Sequence, residues 1–136
     1  MAYKFEKLEV WTRALDYSDQ IYDIAGQPPK HERYNLADQM NRAANSIALN
    51  IAEGSTELSD AEQDRFLRIA VRSLLETVAC LHLVKRREYL DNVDLLRNAY
   101  EESESLFAKL QAFRASLDTD STAQEATIEY DEGAPF

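Results

Sequence analysis

Apolar residues return along the chain at intervals of three and four in four separate stretches, the period at which side chains share one face of an α-helix. The first stretch runs from about Leu8 to Ala25. In it Leu8, Trp11, Leu15, Ser18, Tyr22 and Ala25 keep the alternating spacing of a bundle seam, while Val10, Ala14, Tyr17, Ile21 and Ile24 widen the apolar face beyond that seam. Gly26 and Pro28-Pro29 end the helix. A second helix is expected from about Glu32 to Glu53, with Leu36, Met40, Ala44, Ile47 and Ile51 turned inward and Gly54 as its stop. Its flanks differ: one carries the small Ala37, Ala48 and Ala52, the other the polar Gln39, Ser46, Asn50 and Glu53.

Ser59-Asp60-Ala61-Glu62 has the form of a capping box, in which Ser and Glu each satisfy an orphan backbone N–H, and it starts a third helix that runs to about Arg87. Phe66, Ala70, Leu74, Leu81 and Val84 form its inner stripe, yet Leu75, Ala79 and Leu83 fall on the opposite side of the axis. A helix that is apolar on nearly all sides is normally covered on all sides, so these three residues are expected to meet another subunit. Lys85-Arg86-Arg87 close the helix where the macrodipole favours cations. The fourth helix begins after Asp91, a candidate N-cap, turns Val93, Leu96, Tyr100, Ser103, Phe107 and Leu110 inward, and ends near Leu117. Short loops between four helices predict an all-α fold, an antiparallel up-down-up-down four-helix bundle over residues 1–117. Residues 118–136 lack helical period and read as an acidic C-terminal tail, flexible in solution, whose Ile128, Tyr130 and Phe136 can dock on a neighbour.

Composition sharpens this picture. A chain of 136 residues that is 45% hydrophobic fills one core of ordinary size, and three Gly with three Pro leave long stretches unbroken. No run approaches the roughly 18 apolar residues of a membrane span, and Met1-Ala-Tyr-Lys-Phe-Glu lacks the apolar core of a signal peptide. A cytoplasmic protein with no membrane partner is the expectation. Net charge is −10: residues 1–117 hold all 15 Lys and Arg against 19 acids, and residues 118–136 hold six acids and no base. That balance weighs against tight nonspecific binding of a phosphate backbone, although a local basic patch remains compatible with it.

Catalytic chemistry finds little footing. A di-iron bundle needs Glu-x-x-His on two helices, and neither His31 nor His82 lies three residues after a glutamate. Cys80 and His82, two apart on one helix, point about 160° apart, and no Gly-rich phosphate loop is present. Cys80, in an apolar stretch, reads as a buried inert thiol. No catalytic residue, cofactor or metal is expected, and the chain reads as a non-enzyme. Arg65, Arg68 and Arg72 form a stripe with intrahelical acids at hand, Asp64 for Arg68 and Glu76 for Arg72. Lys85, Arg86 and Arg87 have fewer acids nearby and are the candidate nucleic-acid contacts. In the second helix, Asn50 and Glu53 at a seam edge call for partners among Arg42, Arg72 and Ser46, a network that would fix helix register.

Those polar residues also carry a resemblance. Leu36-Ala-Asp-Gln39-Met-Asn-Arg42-Ala-Ala-Asn-Ser46-Ile-Ala-Leu-Asn50-Ile-Ala-Glu53-Gly54 resembles the "Q..RAA.SI..NIAEG" signature of the bacterial four-helix-bundle family named after proteins encoded in 23S rRNA intervening sequences. Leu8-Glu-Val10-Trp11 with Ile21-Tyr22, and Phe66-Leu67-Arg68-Ile69-Ala70 with Ser73-Leu74 and Glu76, are similar to its first and third helices. The resemblance covers roughly residues 5–115 and implies a four-helix protomer assembling as a ring-like homopentamer. The accessory variability determinants of diversity-generating retroelements, related in fold, bind nucleic acid. The leading expectation is therefore a homo-oligomeric interaction module whose partner is structured RNA or an RNA-associated protein. Its rival is a protein-only adaptor whose acidic tails recruit a basic partner.

Overall fold

The helical periods are realised as α1 (Glu9–Ala25), α2 (Leu36–Gly54), α3 (Asp60–Arg86) and α4 (Val93–Ser116), with short 3-10 turns at Lys4–Lys7 and Lys30–Glu32. The computed structural model describes residues 2–56, 59–119 and 135–136, and no strand occurs among them. Of the expected acidic tail, only Asp118, Thr119, Pro135 and Phe136 fall among the described residues; Ile128 and Tyr130 lie outside them. α1 packs on α2 and α4, and α3 on the same two, so the helices stand at the corners of a square. Contacts along each edge give the sense of travel. Asp64 meets Arg114 and His82 meets Tyr100, so α3 and α4 run in opposite directions. Glu9 with Lys109 and Arg13 with Glu102 show the same for α1 and α4.

The core stripe of α2, Leu36, Met40, Ala44, Ile47 and Ile51, is buried as its spacing requires. On α3, Ala70, Leu74, Leu81 and Val84 are buried, and Leu67, Val71, Thr77 and Cys80 join them, while Phe66 is half-buried. Two helices turn differently from expectation. In α1 the covered residues are Val10, Ala14, Tyr17, Ile21, Ile24 and Ala25; of the expected seam Ala25 is thus buried, whereas Leu15 and Tyr22 are exposed. Adjacent 3,4 stripes on one helix are separated by less than a turn of the axis, and here the choice falls to a polar pair. Tyr17 Oη lies 2.7 Å from Thr77 Oγ1 across the diagonal of the bundle, and Thr77 donates onward to the Leu74 carbonyl at 2.6 Å. Burying Tyr17 with its hydroxyl satisfied brings Val10 through Ile24 inward. In α4, Leu96, Ala99, Ser103, Leu106 and Leu110 are buried, so Tyr100 and Phe107 sit half-covered at the edge rather than in the seam.

Helix ends show similar local decisions. Ser59 Oγ accepts from Glu62 N at 3.2 Å, so Ser59 caps α3 as expected, while only this half of the capping box is formed. At α4 the cap is Asn92, whose Oδ1 accepts from Asp94 N at 3.0 Å, and not Asp91. α2 starts four residues later than expected because Glu32 is drawn inward by Tyr89, and Asn35 at the N-cap spends its amide on Glu32 instead of capping. The C-terminus of α3 closes in a Schellman motif, with Tyr89 N donating to the Val84 carbonyl and Glu88 N to that of Lys85, both at 3.1 Å. Glu88 takes the left-handed position there, at φ 55°.

Candidate functional site

The polar stripe of α2 divides on folding into a joint and a surface. Ser46 and Asn50 lie at the edge facing α3, where Asn50 Nδ2 donates to the Ser46 carbonyl at 2.8 Å and to its Oγ at 3.1 Å, and Ser73 Oγ donates to Ser46 Oγ at 2.8 Å. This chain ties α2 to α3, with Ser46 rather than Arg42 or Arg72 as the partner of Asn50. Gly54 belongs to the same joint. It forms the last turn of α2 instead of lying beyond it, and a Cβ there would stand 2.8 Å from Phe66 Cβ. α2 and α3 therefore approach closely at this end, and glycine is what admits Phe66. Gln39, Arg42 and Glu53 face solvent, with Arg42 held by Asp38 at 3.4 Å.

The outer face of α3 is the other feature the sequence singles out. Leu75 and Leu83 remain 46% and 39% exposed, and Ala79 between them is exposed as well, which gives an apolar row along successive turns. Cations flank it. Towards the start of α3, Arg68 reaches Asp64 at 3.6 Å, Arg65 stacks over the Phe66 ring at 5.0 Å, and Arg72 makes no ion pair with a described residue. Beyond the row, Lys85 and Arg86 are exposed. Arg87 turns away from them to Glu32, 3.8 Å distant, so the three successive cations do not form one patch.

Glu32 is a residue that sequence reasoning missed. Its carboxylate is buried, accepts from Tyr89 Oη at 2.8 Å and Asn35 Nδ2 at 2.9 Å, and faces Arg87. The Tyr89 hydrogen bond, followed by that of Asn35, holds its carboxyl below the usual carboxylate range, and the same bond pushes the Tyr89 phenol up. At the opposite end of α3, Asp64 bonds Arg114 Nε at 2.7 Å, both side chains being covered. Sequence spacing pointed Asp64 only to Arg68. Between α1 and α4 runs an open groove of about 500 Å³ lined by Glu9, Thr12, Arg13, Asp16, Gln20 and Glu102. Arg13 occupies its floor, bonded to Glu9 at 3.1 Å and to Glu102 and Ser105 at 3.3 Å. Cys80 is buried, and burial pushes its thiol up. Among the described residues no three His, Cys, Asp or Glu side chains gather as metal ligands, and no helix is long and apolar enough to cross a membrane.

The model of the family described as 23S rRNA-intervening sequence protein matches residues 6–112. The chain belongs to this family. The match takes in α1, α2, α3 and all but the last turn of α4, including the Ser46–Asn50–Ser73 joint and Gly54. A solved structure of an S23 ribosomal protein family member from Bacteroides thetaiotaomicron VPI-5482, itself of unknown function, superposes with a TM-score of 0.70 at 23% identity. The superposition covers 77% of this chain and 97% of that one, which establishes a shared fold. No match to a curated protein was found.

Proposed function

We propose that this member of the 23S rRNA-intervening sequence protein family is a non-enzymatic, cytoplasmic interaction module that assembles with copies of itself through the outer face of α3. The observation that carries this reading is the uncovered row Leu75, Ala79 and Leu83. Single exposed leucines are ordinary on a protein surface, whereas an apolar row on the side of a helix opposite its core is a surface suited to burial. The subunit count, five in a ring, follows from the family resemblance. Lys85 and Arg86 lie just past the row, so a ring would repeat this pair around one rim and concentrate positive potential there. Structured RNA or an RNA-associated protein is the partner that suits such a rim. Leu75→Glu tests the assembly by placing a charge in the contact: smaller particles support the reading, and unchanged ones remove the α3 face from it.

A second reading is favoured by the charge. The chain carries −10 overall, with six carboxylates in residues 118–136, so an assembly would display acidic segments to a basic protein and contact no nucleic acid. Salt-sensitive RNA binding that disappears when Lys85 and Arg86 are neutralised would exclude this adaptor. Capture of a basic protein that depends on residues 118–136 would support it.

A further inference from the structure

We propose that the edge between α3 and α4 carries a receptor site for an aromatic residue, and that Phe136 of the same chain is its occupant. His82 reaches the site from α3; Tyr100 and Arg97 reach it from successive turns of α4. The Phe136 ring stands edge-on to His82, with centroids 5.0 Å apart and planes at 72°, and to Tyr100 at 5.6 Å and 76°. His82 and Tyr100 meet each other edge-on at 6.4 Å and 86°. Each pairing sets the positive rim of one ring against the negative face of another. Arg97 Nε donates to the Phe136 carbonyl oxygen at 3.2 Å, while Asp94 holds the same guanidinium through NH1 at 2.8 Å. One residue is thus gripped by its ring and by its backbone. The site is cut for an aromatic residue that presents a carbonyl oxygen beside the ring.

Past α4, Asp118 N donates to Asp60 Oδ2 at 2.9 Å, which pins the chain against the start of α3. His82 lies 22 positions further along that helix, about 33 Å away, a span that the residues from 118 to 136 cover without full extension. The Phe136 contact is made within one chain and does not depend on self-association, though His82 borders the row that self-association would cover.

The test is proton NMR on the full chain at micromolar concentration, wild type against Phe136→Ala and His82→Ala. The expected result is a set of nuclear Overhauser effects from the Phe136 ring to His82 and Tyr100. Both variants lose it, with shifts at Arg97 and Tyr100 and an unchanged unfolding temperature. Wild-type protein without these effects overturns the proposal. Effects that appear only between differently labelled copies overturn it as well, because the occupant would then come from another subunit.

Discussion

One hydroxyl pair decides how α1 sits. Tyr17 donates to Thr77, which has already committed its own proton to the Leu74 carbonyl, so the two side chains are not equivalent under substitution. Tyr17→Phe removes a donor and leaves Thr77 still bonded, at a cost of about 1 kcal/mol. Thr77→Val leaves a buried phenol with no acceptor and is expected to cost about 2–3 kcal/mol, which urea unfolding of the two variants would separate. Glu32 supplies a pH dependence of definite sign. Its folded pKa lies below the ordinary value because Tyr89 and Asn35 donate to the carboxylate. Its stabilising effect is therefore complete above the ordinary carboxylate range and fades as pH falls through the folded value. Wild type should exceed Glu32→Gln in urea midpoint at about pH 7, with the gap narrowing once the pH falls below the ordinary carboxylate range, whereas a constant gap would mean that the charge is irrelevant. Neither Glu32 nor the Asp64–Arg114 pair was legible beforehand, because their partners Tyr89 and Arg114 lie 57 and 50 residues away along the chain. Periodicity reports which residues share a face of one helix and is silent about such distant meetings.

At the scale of the element, the four helices and the α2 core stripe were legible because apolar spacing, Gly26, the adjacent prolines and the Ser59 cap all agree. α1 and α4 were read in part: Ala25, Leu96, Ser103 and Leu110 are inward as expected, while Leu15 and Tyr22 are exposed and Tyr100 and Phe107 half-covered. Each carries aromatic residues on two neighbouring stripes, and packing against the diagonal partner, as between Tyr17 and Thr77, selects between them. Two helix ends lend themselves to measurement. Glu88 closes the α3 Schellman motif in the left-handed region without the freedom of glycine, and Glu88→Gly should stabilise the protein by about 0.5–1 kcal/mol. Gly54 presents the opposite case. Alanine would improve helix propensity there, but its Cβ would meet Phe66 Cβ, which cannot swing aside as a flexible chain end can. Gly54→Ala should lose about 1–3 kcal/mol, and thermal unfolding of both variants would show the two shifts in opposite directions. A stable Gly54→Ala protein would mean that α2 and α3 yield at this end more readily than their close approach implies.

At the scale of the whole molecule, the family signature is architectural in one half, Ser46, Asn50 and Gly54, and solvent-facing in the other, Gln39, Arg42 and Glu53. Ser46, Asn50 and Gly54 fasten α2 to α3, and this leaves the uncovered row on the far side of α3 as the feature the protomer does not use for its own folding. That row was legible because Leu75, Ala79 and Leu83 fall opposite a stripe already apolar. The splitting of Lys85 and Arg86 from Arg87 was not, since it depends on Glu32. The most direct measurement is the solution mass of the full chain by light scattering, with the ratio of absorbance at 260 and 280 nm followed across the peak, for wild type and for Leu75→Glu. Self-association through α3 predicts a wild-type particle of about five times the 15.6 kDa of one chain and a smaller one for the variant. Nucleic acid released by salt would single out RNA or DNA as the partner. A wild-type protein that scatters as a single chain would contradict the assembly and the function built on it.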